Sequence, residues 1–310
     1  MSLPIAALLV KSASPAINRF MHTNVVHSIL CMVVFMAVAA WQPESATAEE
    51  LTGTGSGLTC EEKVIVFNSA AVLGVLTYGT FAWNYWQETP HAQSEGWFAK
   101  GTKHGGADKT GHFYTGYVAS RISARLYESW GYDREDSATR GAITSLLFTG
   151  TLEFGDSFSG FGFSPEDMVA NSLGAGLGYL LVKYPRVNDF IDYRIEYAPS
   201  LSSRPPADVT TDYEHLKYML AFRLAGFESL KDSPFRFIDI LGGYYTRNYH
   251  GTATRHSKDR ETFIGIGLDV AELLSSSPIS GLFRYVQLPY SYVAKGVSDG
   301  AGSRVDRSLF

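Results

Sequence analysis

Leu216–Phe227, LKYMLAFRLAGF, sets the class of the fold. Bulky residues fall on every second position (Leu216, Tyr218, Leu220, Phe222, Leu224), with Lys217 and Arg223 between them. A period of two belongs to a strand, whose side chains alternate between two faces, so this stretch reads as a half-buried strand. Thr262–Val270 repeats the device, with Ile264, Ile266, Leu268 and Val270 on one face and Gly265 and Gly267 on the other. Arg236–Tyr245 and Phe283–Val293 read as two further strands. Asp232-Ser-Pro234 and the polar His250–Arg260 join them at hairpin-like lengths. Asp269-Val-Ala-Glu272 carries a capping-box pattern that starts a short helix or turn.

Upstream the period is helical. Val64–Trp83 is an uncharged apolar run, long enough to cross a bilayer. Its polar Asn68, Ser69, Thr77 and its small Ala70, Ala71, Gly74 equally suit a central buried helix, and both readings stay open. Trp83–Gly106 is loop-like, with Pro90 and the aromatics Trp83, Tyr85, Trp86, Trp97 and Phe98, which suit a membrane interface or a core rim. Lys109–Trp130, Asp136–Phe154 and Ser164–Tyr184 are the next three helices, the last stopped by Pro185. Gly174, Gly176 and Gly178 each cost about 1 kcal/mol in a helix interior, which is tolerated where helices approach closely; this helix is expected to be packed on all sides.

The expected class is therefore α+β. An N-terminal four-helix bundle, membrane-associated in one of the two readings, precedes a small antiparallel β domain of four to five strands. The expected divisions are a signal peptide or anchor over 1–48, a linker over 49–63, a helical domain over 64–200 and a β domain over 210–310. Arg204-Pro-Pro206 marks the last boundary. The chain ends in Phe310, as outer-membrane barrels often do, but Ser303–Phe310 does not alternate and the strands fall short of the eight such barrels need. The sheet is expected to pack on the helices or to lie at a membrane surface.

Composition narrows the function. The 310 residues are 45% hydrophobic, 18% charged and 14% aromatic, and the net charge is −5. With no basic run to neutralise phosphates, nucleic acid is excluded as a partner. Ile29–Trp41 has the length of a signal-peptide apolar core, and Ala46-Thr-Ala48 supplies a small-x-small cleavage site, so cleavage after Ala48 is expected, with a retained anchor as the alternative. Export leaves Cys60 as the single cysteine and hence no internal disulfide. Cys60 follows a polar Gly/Ser/Thr tract rather than an apolar core, which disfavours it as a lipid attachment site.

Three of the apolar helices carry a polar pair near one end. Asp108 and His112 stand one turn apart at the start of the second helix, beside Lys109. Glu153 and Asp156 share a face at the end of the third, and Asp167 and Asn171 at the start of the fourth. Alternating helix directions in an up-down bundle bring these ends together, so the seven residues are expected to form one cluster. Crowded carboxylates repel unless a cation, a shared proton or Lys109 compensates. Taken singly, each has a plain structural account: Asp108 as an N-cap, Ser164-Pro-Glu-Asp167 as a capping sequence, Asn171 as an interhelix hydrogen bonder and His112 as half of a buried pair. Taken as chemistry, His112 is the candidate base or ligand, and Glu153, Asp156 and Asp167 are candidate acids or ligands. No cofactor is expected and no metal motif is met, since neither Glu-x-x-His pairs nor His-Glu-x-x-His occurs; a divalent cation at the cluster stays open. Ser157 and Ser159 lack a nucleophile elbow.

Asp108-Lys-x-x-His112-Phe113, Glu153-x-x-Asp156 and Phe163-Ser-x-x-Asp167-x-x-x-Asn171-x-x-Gly174, in that order, resemble the VanZ-like group, and within it the YfiM-type predicted periplasmic lipoproteins. The resemblance covers Gly105–Tyr184; the strand half, with Gly242–Arg247 and Ile264–Asp269, resembles longer members. It implies a cell-envelope protein and no known reaction, and on the VanZ side an association with glycopeptide-antibiotic resistance. Lipoprotein members carry a cysteine directly after the leader, where this chain has Ala-Thr-Ala. The expectation is a periplasmic or membrane-associated envelope protein, structural or lipid-binding rather than enzymatic, with membrane lipid or envelope components as partners. The alternative is a metal- or acid/base-dependent enzyme acting on lipid or cell-wall head groups.

Overall fold

A computed structural model describes residues 58–198, 212–249 and 258–297, with the backbone of 305–306. The leader, most of the 49–63 linker and Arg204–Pro206 lie outside the described residues. In chain order the helices are α1 (Cys60–Ala82), α2 (Ala107–Ser129), α3 (Arg134–Asp156), α4 (Pro165–Lys183) and the short α5 (Pro185–Phe190). Then come strands β1 (Ile191–Tyr197), β2 (Leu216–Arg223), β3 (Ile238–Arg247) and β4 (Asp259–Leu268), the one-turn α6 (Val270–Leu273), β5 (Tyr292–Gly296) and the two-residue β6 (Val305–Asp306). Helices first and an antiparallel sheet second is the expected class. The chain forms two compact units: residues 1–93 with 119–165, and residues 94–118 with 166–310. Helix α2 thus gives its start to the second unit and its remainder to the first.

In the first unit, α1 begins at Cys60, inside the span expected to be linker. Thr59 and Glu62 form a capping box, the Thr59 backbone N–H donating to the Glu62 carboxylate at 2.8 Å. Arg140 of α3 pairs with Glu61 at 3.0 Å. Only Val75 and Gly79 of α1 are buried, while Ile65, Val66, Leu73 and Phe81 are exposed. The reading as a central buried helix fails. Among the described residues, α1 is the one helix long and apolar enough to cross a membrane. The phenol of Tyr85 is clamped between two glycines: a Cβ on Gly79 or Gly155 would fall inside its ring. Asp133 caps α3, accepting from the Asp136 N–H at 2.9 Å.

The second unit holds the sheet, a meander in the order β1-β2-β3-β4-β5-β6, antiparallel throughout. Strand β1 precedes Arg204 and pairs along its whole length with β2, Ile191 opposite Phe222 and Tyr197 opposite Leu216. The sheet therefore begins within the span expected to be helical; its five longer strands match the four to five expected, and among the described residues the two-residue β6 extends it. Phe283–Val293 is a strand only at its end; its first part is a 3₁₀ stretch, Pro278–Arg284. Asp269 caps α6 as its sequence suggests, accepting from the Glu272 N–H at 2.9 Å.

Burial in the sheet runs against the expected alternation. Lys217, Arg223, Arg194 and Asp239 point to the covered face, whereas Leu220, Phe222, Ile240, Ile264, Ile266, Leu268 and Val293 are exposed on the other. The covered face keeps an apolar cluster of Met219, Leu241, Phe263 and Tyr292. Beside it, Arg194 donates to Asp239 at 2.6 Å, Asp192 at 2.9 Å and Gln287 at 3.0 Å. Arg223 donates to Asp269 at 2.7 Å. Burial outweighs the attraction of Arg194 and, with the charge of Asp269, pushes the Asp239 carboxyl up to about 7.

Helix α4 is not packed on all sides. Gly174 faces the start of α2 so closely that a Cβ there would overlap the Phe113 carbonyl oxygen and lie 2.9 Å from the Tyr117 nitrogen. Gly176 faces open space, and Val169, Leu173 and Leu180 are exposed.

Candidate functional site

Gly105 and Gly106 turn the chain into α2 with φ of 66° and 93°, a left-handed region that glycine enters without strain. Asp108 and Lys109 follow in the first turn and are buried. Asp167 lies in the first turn of α4, where a carboxylate is favoured by the helix dipole. The glycine contact sets the approach of these two helix segments. From Gly116, a Cβ would strike the Asn171 carbonyl and lie 3.1 Å from the Ala175 nitrogen, so no larger residue fits without separating them.

This approach places the Lys109 amine at the centre of a carboxylate triad. Nζ lies 2.7 Å from Asp167, 2.8 Å from Asp108 and 3.0 Å from Glu95. The Lys109 side chain is 1% exposed. Burial pulls its pKa down, but the charges of Asp108 and Asp167 outweigh burial and hold it above the ordinary lysine value. An amine so held keeps its proton at neutral pH and acts as a fixed cation, not as a base. Oxygens of Glu95, Asp108 and Asp167 lie within 4.8 Å of one another, a spacing that a metal ion could bridge. The ammonium supplies one positive charge among these three carboxylates. His112 Nε2 stands 3.6 Å from the same Asp167 oxygen that Lys109 holds, a distance for ion pairing rather than a hydrogen bond. Its side chain is half-buried. Asn171, one turn beyond Asp167, is fully buried. Tyr213 is half-buried; desolvation first, then the charges of Tyr218, Asp108, Asp167 and Glu95, push its hydroxyl well up.

Asp108, Lys109, His112, Asp167 and Asn171 thus belong to one unit, with the first four within ion-pairing reach of one another through Lys109 or Asp167. Glu153 and Asp156 belong to the first unit. There the buried Glu153 accepts the Ser164 backbone N–H at 3.3 Å. Asp156 hydrogen-bonds Tyr85, whose hydroxyl is raised first by burial and then by the charges of Asp156 and Glu153. The Ser157 and Ser159 hydroxyls donate to the backbone carbonyls of Phe154 and Asp156.

Sequence reasoning missed Glu95. It sits in the loop before α2, where no period relates it to Lys109, and only the folded path of that loop supplies the third carboxylate. A cavity of about 440 Å³ lies among Arg186, Lys231, Arg236, Asp189, Asp232 and Glu272, none of which belongs to the cluster. Its basic and acidic groups largely offset each other.

Residues 94–183 match the model of a family described as predicted periplasmic lipoprotein (DUF2279). The matched range opens one residue before Glu95 and closes at the last residue of α4, so the whole Lys109 triad lies within it. No curated protein and no solved structure matches the chain.

Proposed function

We propose that this chain is a non-catalytic protein of the cell envelope, held at a membrane by α1, in which the Lys109 triad locks the starts of α2 and α4 together. The single observation that carries the membrane part is the exposure of α1. Leu73 is 64% exposed and Ile65 63% on a helix of 23 residues. Its uncharged part, Val64–Ala82, is about 29 Å long at 1.5 Å per residue, close to the roughly 30 Å hydrocarbon core. Apolar surface of that extent is costly in water and favourable in lipid. The family match supports the envelope compartment, and the three sequence blocks that resemble VanZ-like, YfiM-type proteins support the same placement. Against an enzymatic role stands the protonated, fully engaged state of Lys109, which leaves no free base at the triad's centre.

Fractionation of cells that make the full chain tests the proposal. The protein is expected in the membrane fraction and to stay there through alkaline carbonate washing. Recovery of native protein in the soluble cytoplasm would sink the envelope reading; release by carbonate would sink the role of α1.

A further inference from the structure

The sheet face opposite Lys217 and Arg223 is packed by α2 and α4 where Ile191, Tyr193 and Tyr218 lie, and beyond Leu220 and Phe222 it is open, with no charge across its middle. Leu220 and Phe222 on β2, Ile240 on β3, Ile264, Ile266 and Leu268 on β4 and Val293 on β5 share it through the strand register. Ile240 pairs with Phe222 and Ile266, and Ile266 with Val293, so the exposed residues form a continuous apolar field. Ile264 is 60% and Ile266 63% exposed. Of the charged residues on these strands, Lys217, Arg223 and Asp239 turn to the covered face and are neutralised there by ion pairs, while Arg260 and Lys295 lie on the apolar side at its ends. A water-facing antiparallel sheet shows the reverse order, with its polar side chains outward. Apolar side out and polar side in is the order that strands adopt when their solvent is hydrocarbon.

We propose that this face is a lipid-contact surface, inserted into one leaflet of a bilayer. It goes beyond the anchoring role of α1 and rests on the envelope reading only for the presence of a membrane. Two further observations select lipid over other apolar occupants. First, the field has a polar border: opposite Ile264 stands Lys295, and Thr262 follows on the same face of β4, both exposed. Lysine at the edge of an apolar band reaches back to the headgroups. Second, the border is polar at the other end as well: beyond Ile238 and Leu268 stand Arg236 and Glu272, with Lys231 exposed nearby. Between the two borders the field runs roughly 13 Å, at about 3.3 Å per residue. The strands therefore lie along the membrane surface, with the field set into one leaflet and both charged borders at the headgroups.

Site-directed fluorescence on the full chain tests this. Cys31 and Cys60 are replaced by Ser, and a single cysteine is introduced by Ile264→Cys, Ile266→Cys or Val293→Cys, with Lys295→Cys for the border and Leu73→Cys for α1. Each carries an environment-sensitive dye and is reconstituted into phosphatidylethanolamine–phosphatidylglycerol vesicles. The vesicles bear a nitroxide either on the acyl chain or on the headgroup. Positions 264, 266 and 293 are expected to be quenched by the acyl-chain nitroxide and shielded from iodide, and position 295 to be quenched best from the headgroup. Adding Ile266→Arg to the Ile264→Cys chain is expected to reduce the inserted population roughly tenfold or more. Quenching of the dyes on 264 and 266 by iodide while position 73 reports lipid would overturn the sheet proposal and leave the α1 reading standing. Shielding from lipid and water together would also overturn it: with doubled particle mass the occupant is a second copy, and with unchanged mass it is a segment of this chain. Failure at position 73 alone would count against α1, not against the sheet.

Discussion

Replacing Gly174 with Ala tests whether the starts of α2 and α4 meet through glycine. The new Cβ would overlap the Phe113 carbonyl oxygen and approach its carbon to 2.8 Å and the Tyr117 nitrogen to 2.9 Å. Ordinary contacts of this kind lie beyond about 3.5 Å, so the overlap with the carbonyl oxygen requires the helices to part by more than about one ångström. The obstacle is α2 backbone, which cannot swing aside as a side chain could. Overpacking of this sort costs about 1–3 kcal/mol, against a helix-propensity gain for Ala of up to about 1 kcal/mol. Gly176, two residues on, faces open space, so Gly176→Ala meets no obstacle and keeps the whole propensity gain. The propensity gain is common to both, so the two substitutions are expected to differ by the overpacking cost, about 1–3 kcal/mol, with Gly174→Ala the less stable. Denaturation of the detergent-solubilised chain, followed by circular dichroism, measures both. Equal effects of the two substitutions would refute the glycine crossing and with it the placement of Asp167 beside Lys109.

Two further outcomes follow from buried ionisable groups. Asp239, raised to about 7 from an ordinary 3.8, holds a proton in the folded chain that the unfolded chain has already lost between those values. Its contribution to stability is thus full below about pH 4, falls by up to about 1.4 kcal/mol per pH unit as pH climbs towards 7, and is level above that. Asp239→Asn is expected to remove this slope, and a slope unchanged in the variant would show that other groups cause it. Tyr85, raised by burial and by Asp156, is expected to stay protonated in an absorbance titration to alkaline pH until the chain unfolds; ionisation near its ordinary value of 10 in the folded chain would contradict its clamped position.

Much of this arrangement is legible in the sequence, for reasons that differ by element. Helices α2, α3 and α4 could be bounded within a few residues because punctuation marks their ends: Gly106, Gly131, Asp133 and the Ser164-Pro165 pair. Asp108 with His112 and Asp167 with Asn171 stood out because helical spacing relates them. Glu95 did not, since a loop carries no period that ties it to Lys109. The alternation of β2 and β4 was readable, but its sense was not. Period two says which residues share a face, and only the fold says that Lys217 and Arg223 are covered while Leu220 and Phe222 are open. β1 was missed although Ile191-Asp-Tyr-Arg-Ile-Glu-Tyr197 alternates cleanly. Its Asp192, Arg194 and Glu196 look like a solvent face, and it follows α5 with no turn residue between. The Asp192–Arg194–Asp239 network was therefore invisible, because it needs β1 paired with β2 before its members can meet.

The claim that the Lys109 triad is a structural lock is tested most directly by the unfolding free energy of Lys109→Met. Removing the cation leaves Glu95, Asp108 and Asp167 buried or nearly so and uncompensated, which costs about 3–5 kcal/mol for a buried pair broken on one side. Neutralising the partners as well, with Glu95→Gln, Asp108→Asn and Asp167→Asn in the same chain, is expected to restore much of that loss. A site kept for chemistry behaves in the opposite way, because its crowded charges are held at the expense of stability. A Lys109→Met chain less stable by about 3 kcal/mol or more is the predicted result. A chain as stable as the parent, or more stable, would contradict the lock.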